Sequence, residues 1–299
     1  MTVNFRGIYP PVPTIVDDNG IFDPAGMAMM LDHVLDNGAD GVLILGSGGE
    51  FAHMSTSQRK TVAAFCLEHV AGRVPVLIGI ACCGTAETIE LGHHAEQAGA
   101  SGVLVVNPWY ATLSDQALIT HYRRIAQALA VPVLLYNFPD LTGQDLRPEL
   151  VALLAREEPN IVGIKDTIDN ISHIRTIINL VRPQRPDFIV FSGYDEYLLD
   201  TLLLGGNGGI PATFNFAPHL TRGIYQAVQH NDLSAARAFQ GQLAALSAIY
   251  TLDTPFFGAV KNAIRLSGLP VSTAVIPPAL PLPKDKYQTL ENLLRHISR

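Results

Sequence analysis

The chain has 299 residues, 48% of them hydrophobic and 16% charged, a balance that implies a large buried core and excludes intrinsic disorder. The net charge is −7, and the lysines and arginines are scattered with no basic stripe, which argues against nucleic-acid binding. Three cysteines, Cys66, Cys82 and Cys83, make neither a disulfide framework nor a CxxC pair, so a reducing cytoplasm is the expected setting.

The opening residues show no basic segment followed by an apolar one, so no secretory signal is expected. Charge-free stretches such as residues 201–221 carry Gly, Asn and Pro and read poorly as membrane spans. His93 and His94 are neighbours and lack the i, i+4 spacing that aims two imidazoles at one ion; no metal site is expected.

Residues 7–16 read as a first strand, apolar and continuous. Asp23-Pro24 then offers an N-cap with proline at the first helical position. A second strand is expected over 41–46, and Ser55-x-x-Gln58 fits a capping box ahead of Val62, Phe65 and Val70. The third and fourth strands fall at 75–80 and 102–106, and Ser114 can cap a helix over 117–130. Gly38 and Gly99 stand where helices need a left-handed residue to end. Strands at 132–137, 161–165, 188–192 and 208–211 complete eight, each one βα unit after the last.

Beyond Asp232 the pattern is purely helical: Phe239, Leu243, Leu246 and Tyr250 share one face, and two more helices are expected near 255–267 and 286–296. The fold class is therefore α/β: a (β/α)₈ TIM barrel over 1–231 with a C-terminal helical extension over 232–299. A doubly wound nucleotide-binding sheet fits less well, because Gly46-Ser47-Gly48-Gly49-Glu50-Phe51 lacks the last glycine of GxGxxG.

Reactive groups in such a barrel gather at the C-terminal ends of strands. Of five lysines, Lys165 alone ends an apolar strand. Burial there strips hydration from the ammonium and favours a free amine, a nucleophile for carbonyl carbon; the plainer alternative is a lysine paired to Asp166 or another carboxylate. Tyr136 ends the preceding strand at a matching level, where a phenol can relay protons, or else serve as a solvated rim tyrosine. The Gly46-Ser47-Gly48-Gly49 turn exposes backbone N–H groups and one hydroxyl, which suits a carboxylate if it is more than a tight turn. Gly205 to Gly209 precede the eighth strand and so lie at the opposite face. Cys82 and Cys83 are read as packing residues.

With these residues in place, the chain resembles the pyruvate-dependent class I aldolases that include dihydrodipicolinate synthase and N-acetylneuraminate lyase. The marks, in order and one per strand, are Gly46-Ser-Gly-Gly-Glu50, Tyr136-Asn-Phe-Pro139, Gly163-Ile-Lys-Asp166 and Gly193-Tyr-Asp-Glu196. Within that family it is most similar to the 2-keto-3-deoxy-gluconate and -pentonate aldolases, through Leu141-Thr-Gly-Gln-Asp-Leu146 and Lys165-Asp-Thr-Ile-Asp169. The resemblance implies that Lys165 forms an imine with pyruvate, with no other cofactor, and that Tyr136 shuttles protons. It implies that Ser47 and Gly48 hold the pyruvate carboxylate, and that Gly193, Asp195 and Glu196 bind substrate, the two acids through sugar hydroxyls. It also implies that Tyr110 reaches into a neighbouring subunit's site in a homotetramer.

Three departures bear on substrate. Gly48 stands where the family has a second hydroxyl. Leu141 stands where dihydrodipicolinate synthases carry an arginine for a substrate carboxylate. Ala212 replaces a serine of the sialic-acid branch. The expected reaction is reversible cleavage of a 2-keto-3-deoxy sugar acid to pyruvate and an aldehyde. Dihydrodipicolinate synthesis or keto-deoxy acid dehydration on the same imine, and a non-catalytic binding role, are the rivals.

Overall fold

The computed structural model describes residues 5–295. Eight parallel strands form one sheet: β1 (Gly7–Ile8), β2 (Val42–Ile44), β3 (Val76–Gly79), β4 (Gly102–Val106), β5 (Val133–Asn137), β6 (Ile161–Asp166), β7 (Ile189–Ser192) and β8 (Gly208–Gly209). Their order is β1-β8-β7-β6-β5-β4-β3-β2. The two ends meet where Pro11 bridges Leu43 and the Val12 N–H donates to the Leu43 carbonyl at 2.9 Å. The sheet is a curled (β/α)₈ barrel, as the spacing of apolar runs implies.

Every predicted strand but β4 and β6 is trimmed at one or both ends, and β1 and β8 keep only two residues each. The run over 7–16 contains Pro10, Pro11 and Pro13, which lack the N–H that a ladder requires, so regular pairing stops at Ile8. β8 stops at Gly209 because Pro211 follows and a 3₁₀ turn begins at Ala212. The β1–β8 seam is glycine against glycine: a Cβ on Gly208 would lie 1.9 Å from the Gly7 carbonyl oxygen. Only a residue without a side chain allows that approach.

The helix signals in the sequence are realised in atoms. Asp23 accepts from the N–H groups of Ala25 and Gly26 at the head of Pro24–Asp36. Ser55 and Gln58 complete a reciprocal capping box on Thr56–Val70. Ser114 accepts from the Ala117 N–H and opens Asp115–Ala128, whose Leu118, Tyr122 and Ile125 face the barrel. Gly38 and Gly99 take φ of +79° and +91° just beyond helix ends.

Past Asp232 come Leu233–Leu246, Phe257–Leu266 and Lys284–Arg295; the expected end at His296 lies outside the described residues. No helix among the described residues is long and apolar enough to cross a membrane. This segment is locked to the barrel by a buried ion pair. Lys261 Nζ lies 2.5 Å from Glu50 Oε1, with both side chains 0% exposed. The Ile276 N–H donates to the other Glu50 oxygen at 2.7 Å, and Lys261 donates to the Ala274 carbonyl at 2.7 Å. Burial lowers the Lys261 pKa, and Glu50 resists that shift.

Candidate active site

β5 and β6 pair in a register that sets Tyr136 beside Lys165 and Asn137 beside Asp166. Side chains alternate across a strand, so the first pair enters the barrel and the second faces the helices. Lys165 is 4% exposed, and its Nζ sits 4.2 Å from the centre of the Tyr136 ring. Among the described residues it forms no ion pair. Asp166, its neighbour in sequence, is engaged elsewhere: it accepts from the Asn137 amide at 3.0 Å and lies 2.7 Å from His173 Nδ1. Of the two buried lysines, the one held against a carboxylate is Lys261, not Lys165.

His173 stands between Asp166 and Asp145, the latter 3.3 Å from Nε2. Burial opposes its protonation, but the hydrogen bonds and charges of the two carboxylates prevail and push its pKa up to about 9. This buried, charged group braces β6 from behind without entering the cavity.

On the barrel side, the Tyr136 hydroxyl lies 3.3 Å from Ser47 Oγ. Ser47 and Gly48 belong to a 3₁₀ turn, Ser47–Gly49, just after β2, and Thr14 Oγ1 donates to the Gly49 carbonyl at 2.7 Å to hold it. Lys165, Tyr136, Ser47, Gly48, Gly193 and Asp195 all line one cavity of about 220 Å³. Leu141 and Ala212, two positions where the sequence departs from related branches, line it too. Lys165 is the only lysine or arginine among the described lining residues.

Two predicted residues stand apart from this cavity. Tyr110 is 101% exposed, with a strained φ of +77°. Glu196 is half-buried and does not line the cavity; its Oε2 is enclosed without a hydrogen-bond partner, and its pKa is raised chiefly by burial, with Asp195 adding to the shift. Asp195 borders the cavity, but its carboxylate is already engaged. It accepts from the N–H groups of Ala212 and Thr213, from the Thr213 hydroxyl, and from Tyr250 at 2.6 Å. Burial raises the pKa of Asp195 against these donors.

Sequence reasoning missed Thr167. It is 4% exposed, lines the cavity, and its hydroxyl has no partner among the described residues. Alternation from Lys165 points to it, because 165 and 167 share a strand face. Thr167 also accounts for Gly193: a Cβ there would lie 1.7 Å from Thr167 Oγ1. Tyr250, Thr251 and Phe256 of the helical extension also wall the cavity, and no local motif marks them.

An unpaired amine in contact with a phenol can attack a carbonyl carbon and have its protons relayed. The adjacent turn offers N–H groups and a hydroxyl to a carboxylate. Fold and site together are those of a (β/α)₈-barrel lyase. The chain belongs to the dihydrodipicolinate synthetase family, whose model matches residues 4–297.

Its relatives cover nearly the whole chain. YagE of Escherichia coli K12, a proposed 2-dehydro-3-deoxy-D-gluconate aldolase, is 46% identical over 293 residues, 98% of this chain and 97% of that protein. The crystal structure of YagE in complex with pyruvate matches with a TM-score of 0.96 over 98% of both chains. YjhH of the same strain, a candidate 2-dehydro-3-deoxy-D-pentonate aldolase, is 47% identical over 289 residues, 96% of each chain. The 4-hydroxy-tetrahydrodipicolinate synthase of Hyphomonas neptunium is 38% identical over 269 residues, 89% of each.

Proposed function

We propose that this protein is a class I aldolase that cleaves a 2-keto-3-deoxy sugar acid reversibly to pyruvate and an aldehyde. The observation that carries the reading is the unpaired Lys165 amine, buried and in contact with Tyr136. Nζ of Lys165 attacks C2, and loss of water gives an iminium that draws electrons from the C3–C4 bond. Tyr136 takes the proton of the C4 hydroxyl, the C3–C4 bond breaks, and the aldehyde leaves. The electron pair rests in an enamine; protonation at C3 and hydrolysis of the imine release pyruvate and restore the amine. The lysine imine is the only cofactor this sequence of steps uses.

The Ser47 hydroxyl and the N–H groups of Ser47 and Gly48 hold the substrate carboxylate, the Gly49 N–H being taken by the Gly46 carbonyl at 2.9 Å, with Gly48 leaving backbone where relatives place a second hydroxyl. The Thr167 hydroxyl, unpartnered in the cavity, binds a hydroxyl of the sugar chain. Gly193 gives that hydroxyl its room. Asp195 fixes Tyr250 and the turn after β8. Barrel residues 1–231 carry the chemistry, and the extension over 232–299 closes one wall.

Tyr110 belongs to an assembly. A fully exposed phenol on strained backbone gains a purpose if it enters another subunit, and a second cavity of about 210 Å³ beside Ser47, lined by Phe51, His53, Trp109 and Phe257, is suited to an aromatic ring. The assembly is a homotetramer of a cytoplasmic enzyme, in keeping with three free thiols.

The test is substrate choice. Purified enzyme should release pyruvate from 2-keto-3-deoxygluconate or -pentonate. It should form no product from pyruvate and aspartate semialdehyde. Activity confined to the semialdehyde, or release of water without carbon–carbon cleavage, would replace this reading with the synthase or the dehydratase.

A further inference from the structure

β6 lies between β5 and β7, so a link from the loop after β5 to the loop after β7 passes over the strand end that carries Lys165. Such a link exists. The Tyr194 hydroxyl donates to Asp140 Oδ2 at 2.6 Å, and both residues line the cavity together with Lys165. Asp140 opens the short helix Pro139–Thr142 after β5, and Tyr194 follows β7. The second oxygen of Asp140, Oδ1, accepts nothing from the described residues, and the residue is exposed at the mouth. Its surroundings are acidic. Tyr197 donates to Asp169 at 2.6 Å beside it, and both Asp169 and Glu196 are close enough to Tyr194 to help raise its pKa, after burial and the hydrogen bond to Asp140. No lysine or arginine other than Lys165 lines the cavity among the described residues.

We propose that Asp140, held across the mouth by Tyr194, selects the aldehyde half of the reaction: its free oxygen accepts a hydrogen bond from a hydroxyl of an uncharged polyhydroxy aldehyde, and its charge repels an aldehyde that carries phosphate or carboxylate. This rests on the aldolase reading above and adds to it the charge class of the second substrate. The carboxylate of pyruvate is spared the repulsion because it sits beyond the lysine, at the Ser47–Gly49 turn. A charged acceptor that a hydroxyl loses is worth a large factor in affinity, and a like charge at the mouth disfavours an anionic aldehyde against an uncharged one.

A pair of aldehydes, D-glyceraldehyde and D-glyceraldehyde 3-phosphate, differs in charge and size, and Asp140→Asn, which changes charge at nearly constant size, separates the two. Each is condensed with pyruvate by the wild type, Asp140→Asn, Asp140→Ser and Tyr194→Phe. The wild type should prefer the uncharged aldehyde. Asp140→Asn should narrow that preference on the order of tenfold, through KM more than kcat. Tyr194→Phe, which frees Asp140 but keeps its charge, should weaken glyceraldehyde binding and still reject the phosphate. Added salt should raise kcat/KM for the phosphate in the wild type and not in Asp140→Asn, a signature that a purely structural role does not produce.

An unchanged preference in both Asp140 variants, or equal salt response in wild type and variant, would overturn the proposal. Borohydride trapping of pyruvate on each variant keeps the two claims apart. Adducts with unchanged preference defeat the role of Asp140 alone, whereas no adduct in the wild type defeats the aldolase reading on which it stands.

Discussion

At the scale of single residues, the site depends on which charges are paired and which are not. Two lysines are buried; Lys261 is paired with Glu50 and Lys165 is not. Lys165 was legible in the sequence because it alone ends an apolar strand, and Tyr136 because it ends the neighbouring strand at the same level. Glu196 and Tyr110, carried over by family resemblance, stand outside the cavity of one subunit, since resemblance transfers roles and not distances. Tyr136→Phe removes the proton relay but not the amine; kcat for cleavage should fall about a hundredfold or more while imine trapping persists, read by steady-state kinetics beside mass spectrometry. His173 predicts a pH effect on stability. Its pKa is raised in the fold to about 9 from an ordinary value of 6.5, so its contribution is complete below pH 6.5 and is lost as pH rises through about 9. The midpoint of thermal unfolding should decline across that window, and His173→Gln should flatten the decline. An equal slope in the variant would assign the effect to other groups.

At the scale of elements, caps and periodicity foretold helices to within a few residues, because each signal acts through local backbone hydrogen bonds. Strand ends were less legible. Pro10, Pro11 and Pro13 after β1 keep the run apolar while ending the ladder, so apolarity alone overstated the strand although the prolines that stop it stand in the sequence. Least legible was the way the helical extension meets the barrel, since Glu50 and Lys261 are far apart in sequence and neither looks unusual alone. Their pairing is also where an element-scale prediction lies. Lys261→Ala leaves a carboxylate buried without its partner and should cost about 3–5 kcal/mol of stability by denaturant unfolding. Replacing both with apolar residues of similar volume, as in Glu50→Leu with Lys261→Met, should recover much of that loss. Non-additivity of this kind identifies a buried pair; additive losses would mean the two side chains act separately.

At the scale of the whole molecule, a barrel supplies the rigid frame, and the extension adds Tyr250 and Phe256 as a wall that no barrel strand could provide. The exposed Tyr110 points outward from this frame; sedimentation velocity should show a tetramer, and Tyr110→Ala should lower activity without unfolding the chain, whereas a fully active monomer would remove Tyr110 from the site. The claim on which all else depends is that Lys165 is the nucleophile. Borohydride reduction in the presence of pyruvate, followed by peptide mass spectrometry, measures it directly. One stable pyruvyl adduct is expected on Lys165, abolished in Lys165→Ala. An adduct on Lys261 or any other residue, or none at all, would contradict it.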